Sequence, residues 1–128
     1  MHKSVLNLVN IQNEIKLNFK RVPNIIAVSK TFSSNQILPL LDHGHINFGE
    51  NKVQEALDKW VDLKSKYKNI KLHMIGKLQT NKVKFAVKIF DYIHSVDSQK
   101  LAKKIVDEQD KLKKKIKVFI QVNIGEEI

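Results

Sequence analysis

The sequence predicts an α/β fold of about five βα units, with parallel strands arranged as part of a barrel. Three observations carry this. Short apolar runs alternate with amphipathic stretches from Ile25 onward, each run closes in polar or small residues, and no glycine-rich nucleotide-binding fingerprint is present. Gly44, Gly49, Gly76 and Gly125 stand alone, which argues against a dinucleotide or P-loop site and for a barrel over a doubly wound sheet.

Val5, Leu8, Val9, Ile15 and Phe19 recur at helical spacing and mark a leading helix within residues 1–22; the βα units occupy 23–128. Apolar runs predict strands at Ile25 to Ser29, Ile46 to Phe48, Lys71 to Ile75, Tyr92 to Val96 and Val118 to Asn123. A short helix is expected over Gln36 to Leu41, stopped by Gly44, with Pro39 confined to its first turn or else bending it. Val53, Ala56, Leu57, Trp60 and Val61 form the apolar stripe of a second crossover helix. Val83, Ala86, Val87 and Phe90 form a third stripe, and Leu101, Ala102, Ile105, Val106 and Leu112 a fourth. The predicted strands end in Ser29-Lys30, Gly49-Glu50-Asn51, Gly76-Lys77, Ser95-Val96-Asp97 and Asn123. In a parallel barrel these ends share one face, where chemistry is done.

Composition narrows the function classes. The chain has 128 residues, no cysteine, 42% apolar and 28% charged residues, and a formal net charge of +10. Disulfides and thiolate metal sites are excluded, a reducing compartment is expected, and no segment reads as a signal peptide or bilayer span. A soluble cytoplasmic protein is the expectation. The positive charge suggests nonspecific nucleic-acid binding, but Arg21 is the single arginine and the aromatics fall at core positions. The run Lys111-Leu112-Lys113-Lys114-Lys115-Ile116-Lys117 reads instead as a helix end turning into a strand, its cations complementing helix carbonyls. No specific nucleic-acid partner, no membrane and no metal are expected.

Lys30 is the principal candidate for chemistry. It closes an apolar strand, so its ammonium is expected in low dielectric with a lowered pKa, as suits an amine that condenses with a carbonyl. The alternative is a lysine that snorkels from the strand end into water.

Five ordered runs then carry a resemblance. They are Ala27-Val28-Ser29-Lys30-Thr31, Phe48-Gly49-Glu50-Asn51-Lys52-Val53-Gln54-Glu55-Ala56, His73-Met74-Ile75-Gly76-Lys77-Leu78-Gln79-Thr80-Asn81-Lys82, His94-Ser95-Val96-Asp97 and Ile120-Gln121-Val122-Asn123-Ile124. Together they resemble the YggS/PROSC family of pyridoxal-phosphate homeostasis proteins. The resemblance implies the N-terminal part of a TIM-like (β/α)8 barrel, related to the N-terminal domain of alanine racemase and not closed by this chain alone. It also implies pyridoxal 5'-phosphate (PLP) on Lys30 as an internal aldimine, without catalytic turnover. Lys52 stands where the family usually has an aromatic, and Ser33 where proline is common.

Family members are about twice as long, and their phosphate cup resembles a Gly-Met-Ser loop and an Arg-Ile-Gly segment beyond this chain. Losing three charge-assisted hydrogen bonds at about 1.5–3 kcal/mol each weakens binding by several decades. The chain is therefore expected to need a second polypeptide or self-association to complete the barrel, with PLP-dependent apo-enzymes as further partners. A residual fragment with weak or no PLP binding is one alternative. A racemase-like enzyme is another, although no opposing acid–base domain is visible.

The resemblance places Asn51 beside the cofactor; alternatively it N-caps the next helix, with Gln54 closing a capping box. His73 reads either as a hydrogen-bonded core histidine or as an acid–base group. Ser95 and Asp97 lie at the mouth or cap the following helix, and Asn123 points to the same rim.

Overall fold

The computed structural model describes residues 1–125. Helix α1 (Lys3–Asn18) precedes the repeating unit β1 (Ala27–Val28), α2 (Ser34–His43), β2 (Asn47–Glu50), α3 (Val53–Lys66), β3 (Lys71–Met74), α4 (Val83–Ile89), β4 (Tyr92–Val96), α5 (Gln99–Lys111) and β5 (Lys117–Ile120). All neighbouring strands pair in parallel in the order β1-β2-β3-β4-β5. A strictly sequential order with right-handed crossovers puts every helix on the same side of the sheet, as in a barrel. A doubly wound sheet would reverse its order at a switch point. Strands β1 and β5 remain edges, so the five strands form an unclosed part of such a barrel.

The core lies between sheet and helices. Phe48, Leu72, Met74 and Ile93 point from the strands onto Ala56, Trp60 and Leu63 of α3, Ala86 and Val87 of α4, and Leu101 and Ile105 of α5. Trp60 is its centre: the side chain is fully buried, its ring centroid is 4.9 Å from that of Phe48, and its Nε1–H donates to Glu50 Oε2 at 3.0 Å. Helix α1 buries Val5 and Leu8, whereas Phe19, expected on the same stripe, is exposed.

Several boundaries differ from expectation. The strand ladder takes in Gly49 and Glu50, which read in sequence as strand-end residues. Helix α2 starts at Ser34, so Pro39 sits in its second turn rather than its first. The reason is the Ser33–Gln36 pair: Gln36 Oε1 accepts from the Ser33 backbone N–H at 2.9 Å and from its hydroxyl at 3.1 Å, starting the helix early. Pro39 has no N–H to offer the Asn35 carbonyl, and Asn35 is exposed, so water can take that role. Gly44 ends α2 as expected, in the left-handed conformation at φ 99°. Ser98, not Ser95 or Asp97, caps α5, its Oγ accepting from Leu101 N–H at 3.2 Å.

The lysine-rich run ends α5 and enters β5, as expected. Lys114 crosses to the C-terminus of α4 and donates to the Val87 and Phe90 carbonyls, both at 3.0 Å. Burial lowers its pKa. No helix among the described residues is long and apolar enough to cross a membrane.

Truncating Trp60 to alanine is expected to lower the unfolding free energy by about 3–5 kcal/mol, because the sheet–helix interface loses its largest side chain. Urea denaturation of the purified chain checks this; a loss under 1.4 kcal/mol, about tenfold in the equilibrium, would show that Trp60 does not organise the core.

Candidate functional site

The carboxyl ends of the five strands open on one edge, and the strand order sets a sequence of residues along it. Lys30 follows β1, Asn51 follows β2, Gly76 and Lys77 follow β3, Ser95 lies near the end of β4 with Asp97 just beyond the strand, and Asn123 follows β5. Ser95, Asp97 and Asn123 come together with Ile75, Gly76, Lys77 and Gln121 around a cavity of about 630 Å³. Ser95 Oγ is buried there and has no hydrogen-bond partner among the described residues.

Asn51 packs on the neighbouring strand end. A Cβ added to Gly76 would lie 2.7 Å from both Asn51 Cβ and its carbonyl oxygen, so β3 can pass Asn51 only with a glycine at this position. The capping role considered for Asn51 is not observed: Lys52 occupies the N-cap of α3 and makes no side-chain cap, while Gln54 donates to Asp58 at 2.9 Å. Helix α3 begins one residue later than a cap at Asn51 requires. Asn51 instead lines a second cavity of about 310 Å³ with Lys52, Lys77, Gln79 and Lys82.

Lys30 is exposed, which corrects the expectation of a shielded ammonium. The strand it closes is buried on the helix side only: Ala27 packs on the core and Ser29 is buried, while Val28 between them is half exposed. Lys30 itself lies past the end of β1, in the turn that follows it, so the burial of the strand does not extend to its side chain.

His73 belongs to the open face of the sheet but not to the rim cavities. Its ring is buried, stacks on Tyr92 at 4.3 Å between centroids, and bonds through Nε2 to Asn47 Oδ1 at 3.0 Å and through Nδ1 to His94 Nε2 at 2.9 Å. Assigning Asn47 Oδ1 as acceptor puts the His73 proton on Nε2, so that Nδ1 accepts from His94 Nε2–H. Phe119 stacks on the other side of His94, with centroids 4.6 Å apart. Burial first, and then the adjacent His94, lower the His73 pKa to about 4; burial also lowers that of His94. This is a neutral hydrogen-bonded histidine pair.

Sequence reasoning missed the group that fixes the Lys30 segment. Glu50, read as a rim residue, points to the helix side and is fully buried, its Oε2 accepting from Ser29 Oγ and from Trp60 Nε1–H and forming an ion pair with Lys59 Nζ at 2.9 Å. Lys59 Nζ also donates to the Ser29 carbonyl at 2.8 Å, the Phe32 carbonyl at 2.9 Å and Glu55 at 3.1 Å. The i, i+4 spacing of Glu55 and Lys59 was visible in sequence, but it reads as an ordinary surface pair.

Comparison with known proteins adds independent findings. The profile of the family described as alanine racemase, N-terminal domain, matches residues 6–127. A protein named pyridoxal phosphate homeostasis protein from Buchnera aphidicola subsp. Schizaphis graminum is 40% identical over 104 residues, covering 81% of this chain and 45% of that protein. The protein of the same name from Pasteurella multocida is 33% identical, covering 94% of this chain and 54% of its own length. The chain thus spans about half the length of the curated relatives it matches. Among solved structures, PipY of Synechococcus elongatus with PLP bound superposes with a TM-score of 0.76 at 36% identity, over 88% of this chain and 53% of PipY.

Two outcomes are expected. Gly76→Ala should destabilise the fold by about 1–3 kcal/mol and shift the Asn51 amide resonance, since the new methyl overlaps that backbone; an unshifted spectrum would refute the contact. The second concerns pH. The folded-state pKa of His73 lies below the unfolded value, so stability present above about pH 6.5 is lost as pH falls towards 4. Urea titrations at pH 7.5 and 4.5 should differ by about 2–3 kcal/mol in the wild type and by clearly less in His73→Gln.

Proposed function

The chain belongs to the alanine racemase N-terminal domain family, and from that premise we propose that it binds PLP in intracellular PLP homeostasis and carries it as a Schiff base on Lys30. The observation that carries this reading is the likeness to PipY, whose structure with PLP bound matches 88% of this chain at 36% identity. The relatives' name, pyridoxal phosphate homeostasis protein, supports the physiological role.

The residues at the rim fit the group. The Lys30 amine condenses with the aldehyde, forming one C=N bond and releasing one water. Ser95, whose Oγ is buried without a partner among the described residues, lines the cavity together with Asn123. Gly76 lets the β3 end lie against Asn51, which keeps the Asn51 side chain at the strand tips. His73 supports the layer beneath through Asn47 and His94. Bound PLP supplies an electrophilic aldehyde and a conjugated ring; this chain's residues hold and release it rather than turn a substrate over. The reading is of a cytoplasmic carrier, with PLP-dependent apo-enzymes as recipients.

Binding in this reading needs the open edge covered. Strand β5 exposes Phe119 and Ile120, and Val122 follows at 71% exposure. An apolar edge of this kind favours pairing with further strands, from a second polypeptide or another copy of the chain. Lys59, Lys64 and Lys114 serve the fold itself, engaged by its carbonyls and carboxylates.

Adding PLP should produce an imine absorbance band that borohydride bleaches, and Lys30→Ala should lose most of it, with an affinity at least about tenfold weaker. A band of equal size in Lys30→Ala would remove Lys30 from the site.

A further inference from the structure

The three residues flanking Lys30 are held by helix α3 and by strand β2. Ser29 and Phe32 each give their carbonyl to Lys59 Nζ, and Thr31 gives its N–H to the Glu55 carboxylate. Ser29 is fixed a second time, its N–H donating to the Gly49 carbonyl at 2.9 Å and its hydroxyl to Glu50. Thr31 has φ 68°, a left-handed conformation that a β-branched residue keeps only when its surroundings impose it. Lys59 and Glu55 are themselves bonded one helical turn apart on α3. The backbone on both sides of Lys30 is therefore anchored, while its side chain is exposed.

We propose that Lys59 and Glu55 are positioning residues for Lys30: acting through the main chain of residues 29–32, they set the direction in which its side chain leaves the backbone, and thereby the selectivity with which an aldehyde condenses there rather than on other lysines. The proposal rests on the reading of Lys30 as the cofactor-bearing amine. Lysine is a flexible four-carbon stem, so a fixed Cα–Cβ direction is the fold's main means of concentrating its amine at one place. Neither Lys59 nor Glu55 touches the bound group. Their effect depends on hydrogen-bond geometry, so variants that keep the bond should act like wild type whether or not they keep the charge.

The test uses the full chain with PLP as the probe, borohydride to trap adducts, and peptide mapping by mass spectrometry. The readout is the ratio of adduct on Lys30 to that on exposed lysines such as Lys52 and Lys100. Wild type should favour Lys30, and the preference should fall about tenfold in Glu55→Ala and Lys59→Met while holding within about twofold in Glu55→Gln and Lys59→Arg. Without PLP, hydrogen exchange at the Thr31 and Phe32 amides should accelerate in the same two disrupting variants only. Lys59→Met leaves Glu50 without its cation; if it does not fold, Glu55→Ala, which keeps the Lys59–Glu50 pair, decides alone. A wild-type preference that survives in Glu55→Ala with unchanged exchange overturns the positioning role and leaves Lys30 as the site. Absence of any preference in wild type overturns the Lys30 reading, and the proposal with it.

Discussion

A buried carboxylate organises this molecule. Glu50 is fully inaccessible, yet it sits at the meeting point of two strands and a helix, accepting hydrogen bonds from Ser29 of the β1 end and Trp60 of α3 and pairing its charge with the Lys59 ammonium. An unpaired charge in such a place would cost several kcal/mol, so the surroundings must satisfy it together or not fold this way. That requirement locks β1 to β2, seats α3 across both, and fixes the backbone from which Lys30 departs. The most polar feature of the helix-side core is thus also its link to the rim.

The two faces of the sheet follow different rules. The helix side is closed by apolar packing around Trp60, with the charged Glu50 held there through its Oε2 while its Oε1 is buried without a hydrogen-bond partner among the described residues. The open side carries Asn47, His73, His94, Tyr92 and Phe119, joined by hydrogen bonds and ring stacking. Polar groups at partial burial need partners, and here they find them across neighbouring strands rather than from helices. The unsatisfied Ser95 hydroxyl lies above this layer, where the strand ends diverge into a cavity.

How legible was this in the sequence? Periodicity found each strand and helix, because alternation and the helical stripe are written in residue types alone. It erred at helix starts. The Ser33–Gln36 pair started α2 early, and Lys52 displaced Asn51 from the N-cap. Among candidate site residues, Ser95 and Asn123 meet at one cavity, Asn51 lies beside Gly76, and His73 lies in the layer below. The exposure of Lys30 was misread because an apolar run does not reveal where the strand ends and the turn begins.

By itself the sequence determined the βα order, the set of polar strand ends and the family resemblance, since these depend on patterns along the chain. Only the tertiary structure decided that Glu50 turns inward, that His73 pairs with His94, and that Lys59 reaches back to hold the Lys30 segment. Those contacts join residues about 20–30 positions apart, and nothing in local pattern specifies which face or which partner a charged side chain will take.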